Sequence, residues 1–90
     1  MTCRFLDVSD LAAPEPLEAA LEAIQVLDSG DFLHFHHRQF PRLLFEQLQR
    51  HGFEYEVRES GDENCDVFIW KEGDDVASVD AMEMAVTFSG

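Results

Sequence analysis

The sequence predicts an α/β fold of the α+β kind: a two-layer sandwich ordered β-α-β-α-β-β, in which a four-stranded mixed sheet carries both helices on one face. Three observations predict it. Two segments have apolar residues at helical spacing, and each opens at a proline and closes at a glycine. A short run with alternating or apolar character precedes each of them, as a strand would. Two further alternating runs follow back to back, separated only by a polar turn. A strand, a crossover helix and a second strand normally place the strands parallel with a right-handed connection, so the two helices share one face.

The first strand is "TCRFLDVS", with Leu6 and Val8 on one face and Cys3, Phe5 and Asp7 on the other. In "APEPLEAALEAIQVLDSG", Leu17, Leu21, Ile24 and Leu27, with Ala20, recur at helical spacing. Glu15, Glu18 and Glu22 fill the first turns, where the helix dipole favours negative charge. Pro14 suits the first helical position and Gly30 a left-handed cap after the last turn. "DFLHFHHR" reads as the second strand, with Leu33 and Phe35 toward the helices and Phe32, His34 and His36 away from them. "FPRLLFEQLQRHG" is the second helix, turning Leu44, Leu48 and either Phe45 or His51 inward. "FEYEVR" buries Phe53, Tyr55 and Val57, and "CDVFIWK" returns after "ESGDEN" as a hairpin partner.

Residues 1–72 thus form one domain and residues 73–90 a C-terminal extension. In that extension Met82, Met84, Val86 and Phe88 alternate as in an edge strand, yet the same segment is compatible with a helical turn or a tail that covers the sheet. A chain of 90 residues accommodates a single core, and 46% hydrophobic content is enough to build one without staples. Cys3 and Cys65 are too few for a disulfide framework, and neither an export signal nor a membrane span is evident, which points to a cytoplasmic protein. A net charge of −13 repels phosphate backbones and anionic lipid, so nucleic acid and membrane are not expected partners. The charge is unevenly spread: all four histidines and three of the six basic residues lie between His34 and His51, where Glu46 is the only carboxylate.

The stretches "LDVSDLAAPEP", "DSGD", "PRLLFEQLQRHGFEYEV" and "VFIWK" resemble the small sulfur-carrier-like domains of the TusA/SirA type across residues 5 to 71. Those domains have the same element order and a Cys-Pro-x-Pro hallmark at the first helix start. Ala13, Pro14, Glu15 and Pro16 occupy the corresponding positions, so the prolines match and the cysteine does not. The chain is most similar to an uncharacterised domain-of-unknown-function branch, whose members often lack the thiol. That branch commonly carries Asp-His-Asp-Pro before the second helix, whereas this chain has Arg38, Gln39, Phe40 and Pro41, so the relatives' histidine role does not transfer to Gln39.

A carrier thiol belongs at a helix N-terminus because unpaired backbone N–H groups and the dipole stabilise the thiolate, which is the reacting form. The methyl group of Ala13 can supply neither nucleophile nor ligand. Cys3 precedes Val8 by about 16 Å of strand and so lies at the opposite edge. Cys65 opens the returning strand and could begin near the helix starts, although a free cysteine is commonly a small buried hydrophobe.

The carboxyl ends of parallel strands, where the helices begin, often bind ligands. That edge would gather Asp7, Asp10, Glu15, His37, Arg38, Gln39 and Arg42, a set suited to an anion or to acidic side chains of a protein partner, or else to plain solvated charge and helix capping. His34 and His36 project from the same sheet face, and Asp66 would join them if the last strand lies beside the second; that is an alternative site for a transition metal or haem. No cofactor is otherwise expected. Phe5, Phe32, Phe68 and Trp70 should all point away from the helices, to be covered by the tail, by a second copy in a homodimer, or by a client protein.

No nucleophile–base pair, paired-carboxylate cleft or phosphate-cradling loop is identifiable, so an independent enzyme is the least favoured class. The expected function is a non-catalytic binding or regulatory module. The alternatives are a metal- or haem-binding accessory protein and sulfur transfer through Cys65.

Overall fold

The computed structural model describes residues 3–10, 12, 15–38, 42–59 and 64–87. Its elements are β1 (Cys3–Asp7), α1 (Glu15–Gln25), β2 (Phe32–His37), α2 (Arg42–Arg50), β3 (Phe53–Glu59), β4 (Cys65–Lys71) and α3 (Asp75–Thr87). The sheet order is β1-β2-β4-β3, with β1 parallel to β2 and the other two pairs antiparallel. The predicted order of six elements and the mixed four-stranded sheet are therefore present, and a third helix follows them.

One face of the sheet carries α1 and α2. Ala20 and Ile24 of α1 and Leu44, Phe45 and Leu48 of α2 pack with Leu33, Phe35, Val67 and Ile69 in a single cluster. Leu17, Leu21, Leu27, Phe53, Tyr55 and Val57 flank it, as their periodicity requires. Between the two inward choices left open for α2, the fold takes Phe45, which stacks on Tyr55 at 4.5 Å, and leaves His51 exposed. Gly52, with φ of 77°, ends that helix in the conformation that favours glycine.

Gly30 also has positive φ, at 88°, but it does not cap α1. That helix stops at Gln25, and the Val26 and Leu27 amides donate to the Ala23 and Ile24 carbonyls three residues back, each at 3.3 Å, which tightens the last turn. Gly30 turns the chain into β2 instead, and its amide donates to Asp74 Oδ2 at 2.7 Å. Pro14 and Pro41, expected at helix starts, lie outside the described residues.

Residues 75–87 of the extension are helical, so Met82, Met84 and Val86 do not lie on an edge strand, and Phe88 lies outside the described residues; the sheet edges are β1 and β3. α3 lies on the face opposite α1 and α2, where Ala77, Ala81 and Ala85 pack on Phe32, Phe68 and Trp70. Both of its ends are tied down. Asp74 Oδ1 accepts from the Ala77 amide at the N-terminus, and Arg58 Nε donates to the Ala85 carbonyl at the other end. Three of the four outer aromatics are thereby covered, while Phe5 remains 60% exposed.

Candidate functional site

The strands bring one edge together as the sequence implies. Cross-strand register sets Asp7 beside His36, His36 beside Asp66, and Asp66 beside Arg58, so a row of alternating charge types spans the whole sheet. Asp7 Oδ1 accepts from the Ser9 amide at 2.9 Å. Hydrogen bonds from Ser9, followed by the charges of His36 and Arg38, hold the Asp7 carboxyl below the ordinary carboxylate range. Arg38 pairs with Asp10 at 3.6 Å, but their side chains are 68% and 92% exposed, so the pair contributes only about 0–1 kcal/mol.

Asp66 organises the histidines. Its Oδ1 accepts from His34 Nε2 at 2.7 Å and from His36 Nδ1 at 2.9 Å. A carboxylate oxygen only accepts, so both facing ring nitrogens carry hydrogen. His36 consequently turns its other nitrogen, Nε2, away from the carboxylate, and its side chain is 25% exposed. His34 is held more tightly: it stacks on Phe68 at 4.5 Å and meets the edge of Phe5 at 4.9 Å. β4 lies beside β2, which sets Asp66 next to His36 as that pairing requires.

The three groups sit at hydrogen-bond distance. A tetrahedral metal with bonds near 2.0–2.1 Å separates its ligand atoms by roughly 3.3 Å, so these nitrogens and the oxygen would have to move apart to take one. Among the described residues no group of three or more His, Cys, Asp and Glu is arranged to hold a metal ion.

The remaining predicted residues divide. His37 points to the helix side, where its Nδ1 accepts from the Arg38 amide at 2.8 Å. Burial, then the neighbouring His36, push its pKa down, so His37 is neutral at pH 7 and serves as a local cap. Glu15 opens α1 and Arg42 opens α2, both exposed. Gln39 and Ala13 lie outside the described residues. Cys65 is buried in the helix-side core. Burial pushes its thiol up to about 11, with Glu59 and Asp66 adding to the shift, so only about one part in ten thousand is thiolate at neutral pH. Cys3 sits at the far end beside Met84, with 3.8 Å between their sulfurs, and its pKa is raised by burial as well.

A feature at the opposite edge escaped the sequence reading. A cleft of about 630 Å³ lies between the end of α1, the start of β3 and the start of α3, with Asp28, Glu72, Asp74 and Asp75 in its walls. The run "KEGDD" was its signal: an acidic turn directly before a helix, whose Asp74 is the N-terminal cap.

No helix among the described residues is long and apolar enough to cross a membrane. No curated protein matches the chain. A family model described as "Uncharacterized conserved protein (DUF2249)" matches residues 5–71, from the outer-face Phe5 to the end of β4. The chain therefore belongs to the DUF2249 family, and α3 lies beyond the matched stretch.

Proposed function

We propose that this chain acts by binding and not by turnover, as a regulatory module on a scaffold of the TusA/SirA type. It recognises an anionic group, carried by a small molecule or by an acidic side chain of a protein partner. The surface is the edge where β1 and β2 end. The observation that carries this reading is the contrast between the two helix starts. α1 supplies its own negative charge, Glu15 and Glu18, in the first turn, whereas α2 has none there and begins with Arg42. A cation at a helix N-terminus is electrostatically unfavourable, and here Arg38 precedes it by four residues in a chain of net charge −13. Arg42 has no ion-pair partner among the described residues, and Arg38 has only the exposed Asp10. An incoming carboxylate or phosphate would relieve both guanidiniums and meet the α2 dipole.

Titrating the isotope-labelled chain with phosphate and with citrate at low ionic strength tests this. Amide shifts should concentrate on residues 7–10, 36–38 and 42–45 and vanish in Arg38→Glu/Arg42→Glu. Native mass spectrometry at low salt covers the case of an acidic protein partner. Binding indifferent to both arginine changes removes the edge from the reading.

One observation favours a metal- or haem-binding accessory role as the second reading. Asp66 engages His36 Nδ1 and leaves Nε2 outside that hydrogen bond on a side chain 25% exposed, as carboxylates commonly do for a ligating imidazole. Haem or copper(II) uptake lost in His36→Ala would support it, and no uptake ends it. Sulfur transfer through Cys65 draws no support from its buried, protonated thiol.

A further inference from the structure

α3 is arranged in the reverse of a helix that only shields a sheet. Its buried face is made of alanines, and the larger Val76, Val79 and Met82 face outward, with both valines more than half exposed. At about 100° per residue these three fall within an arc of roughly 120°. The helix contains Asp75, Asp80 and Glu83 and no basic residue. Its N-terminal end runs directly into the acidic cleft, for Asp75 and Val76 also line that cleft.

The cleft has an apolar floor of Ile24, Leu27 and Phe53 under a charged rim. Asp74 is engaged by the Gly30 and Ala77 amides. Glu72 and Asp75 have no ion-pair partner among the described residues, and Lys71 and His51 are the basic side chains in the lining.

We infer that the outward face of α3 and this cleft form one continuous docking surface for a basic amphipathic helix. The partner's apolar residues lie on Val76, Val79 and Met82, and a lysine or arginine enters the cleft. Charge complementarity selects this occupant. Two copies of α3 face to face would set the carboxylates of one helix against those of the other, and the helix carries no basic residue to offset them, which is costly. A lysine or arginine stem, apolar along its length and charged at its tip, matches an apolar floor under an acidic rim. The apolar patch is small, so the contact belongs to the weak, transient class. The surface lies at the opposite end of the sheet from the Arg38–Arg42 edge and is independent of it.

The test is calorimetric titration of the full chain at low salt with a synthetic peptide of about 18 residues that places leucine and lysine at helical spacing. A control peptide carries glutamate in place of lysine. The lysine peptide should bind one-to-one, about tenfold more weakly to Val79→Asp/Met82→Asp and about fivefold more weakly, with a smaller salt dependence, to Glu72→Gln/Asp75→Asn. Arg38→Glu/Arg42→Glu should not weaken it, and the glutamate peptide should not bind. All four substituted cleft and helix residues are exposed, and circular dichroism verifies that the variants fold. No uptake, or equal affinity for the parent and Val79→Asp/Met82→Asp, overturns the inference. A sedimenting dimer dispersed by Val79→Asp also overturns it, by assigning the face to a second copy.

Discussion

Replacing Asp66 separates the two roles a buried carboxylate can have. Its side chain is only 12% exposed, and its Oδ1 holds both His34 and His36. Asp66→Ala removes two hydrogen bonds at once and leaves two ring N–H groups facing a gap. Bonds to charged groups contribute about 1.5–3 kcal/mol each, and an unsatisfied buried donor costs about 1–3 kcal/mol. Part of this returns, because carboxylate desolvation is relieved and a neutral imidazole can move its hydrogen to the other nitrogen. The expected net loss is about 2–4 kcal/mol, or a melting temperature lower by roughly 10–25 °C at this chain length. Asp66→Asn keeps an acceptor oxygen of the same reach and should lose only about 1 kcal/mol. Replacing all three groups, as His34→Phe/His36→Leu/Asp66→Leu, removes donors and acceptor together and should come closer to the parent than Asp66→Ala does. Urea unfolding followed by the fluorescence of Trp70, the single tryptophan, measures all three. If Asp66→Ala unfolds within about 0.5 kcal/mol of the parent, the carboxylate does not organise these rings and the reasoning fails.

Ala81→Leu should lift α3 from the sheet, because Ala81 is fully buried against the aromatic face; a loss of about 1–3 kcal/mol with red-shifted Trp70 emission is expected in the same unfolding assay. Gly30→Ala should cost about 1 kcal/mol, since φ is 88° there, while an added methyl meets Val76 only at an ordinary 3.8 Å; thermal melts report it. The Asp74 carboxyl is held below its usual 3.8 by the Gly30 and Ala77 amides, so its contribution is complete above that value and is lost as pH falls through the lower folded pKa. Asp74→Asn should accordingly flatten the acid limb of α3 unfolding, followed by the intensity of Trp70. For Cys65 the sign is opposite. A thiol raised from 9.0 to about 11 contributes fully below pH 9, and the contribution disappears as pH climbs through 11. Iodoacetamide mass labelling at pH 8 should modify Cys3 well before Cys65 in the folded chain, and Cys65 should catch up in urea.

The two-layer half of the fold was legible because its patterns are local. Leu33 and Phe35 alternate with His34 and His36, and both sets land on the faces that alternation assigns them. Register was legible only conditionally. The pairing of β2 with β4, and with it the Asp66–His36 contact, is a long-range choice that no single segment contains. The element that Gly30 serves was not legible for a related reason. Gly30 answers to Asp74, forty-four residues on. A glycine near a helix end predicts a positive φ correctly without saying which element the turn serves.

The extension was ambiguous because α3 inverts the usual relation between size and burial. Helices are recognised by large apolar residues on the covered side. In α3 the covered side is Ala77, Ala81 and Ala85, small because Phe32, Phe68 and Trp70 already fill the space beneath, while the valines stand on the solvent side. Apolar residues then occur all round the helix, and Met82, Met84 and Val86 mimic strand alternation. Tight packing of a flat alanine face on an aromatic sheet explains why the inner residues are small. It offers no reason for Val76 and Val79 to be large and more than half exposed, since neither belongs to the cluster that α3 forms with the sheet. Both stand outside that cluster, and Val76 also lines the acidic cleft, whose lining includes the apolar Ile24, Leu27 and Phe53. A hydrophobic surface continued around the turn into α3 by a carboxylate rim is the arrangement a cationic amphipathic partner requires.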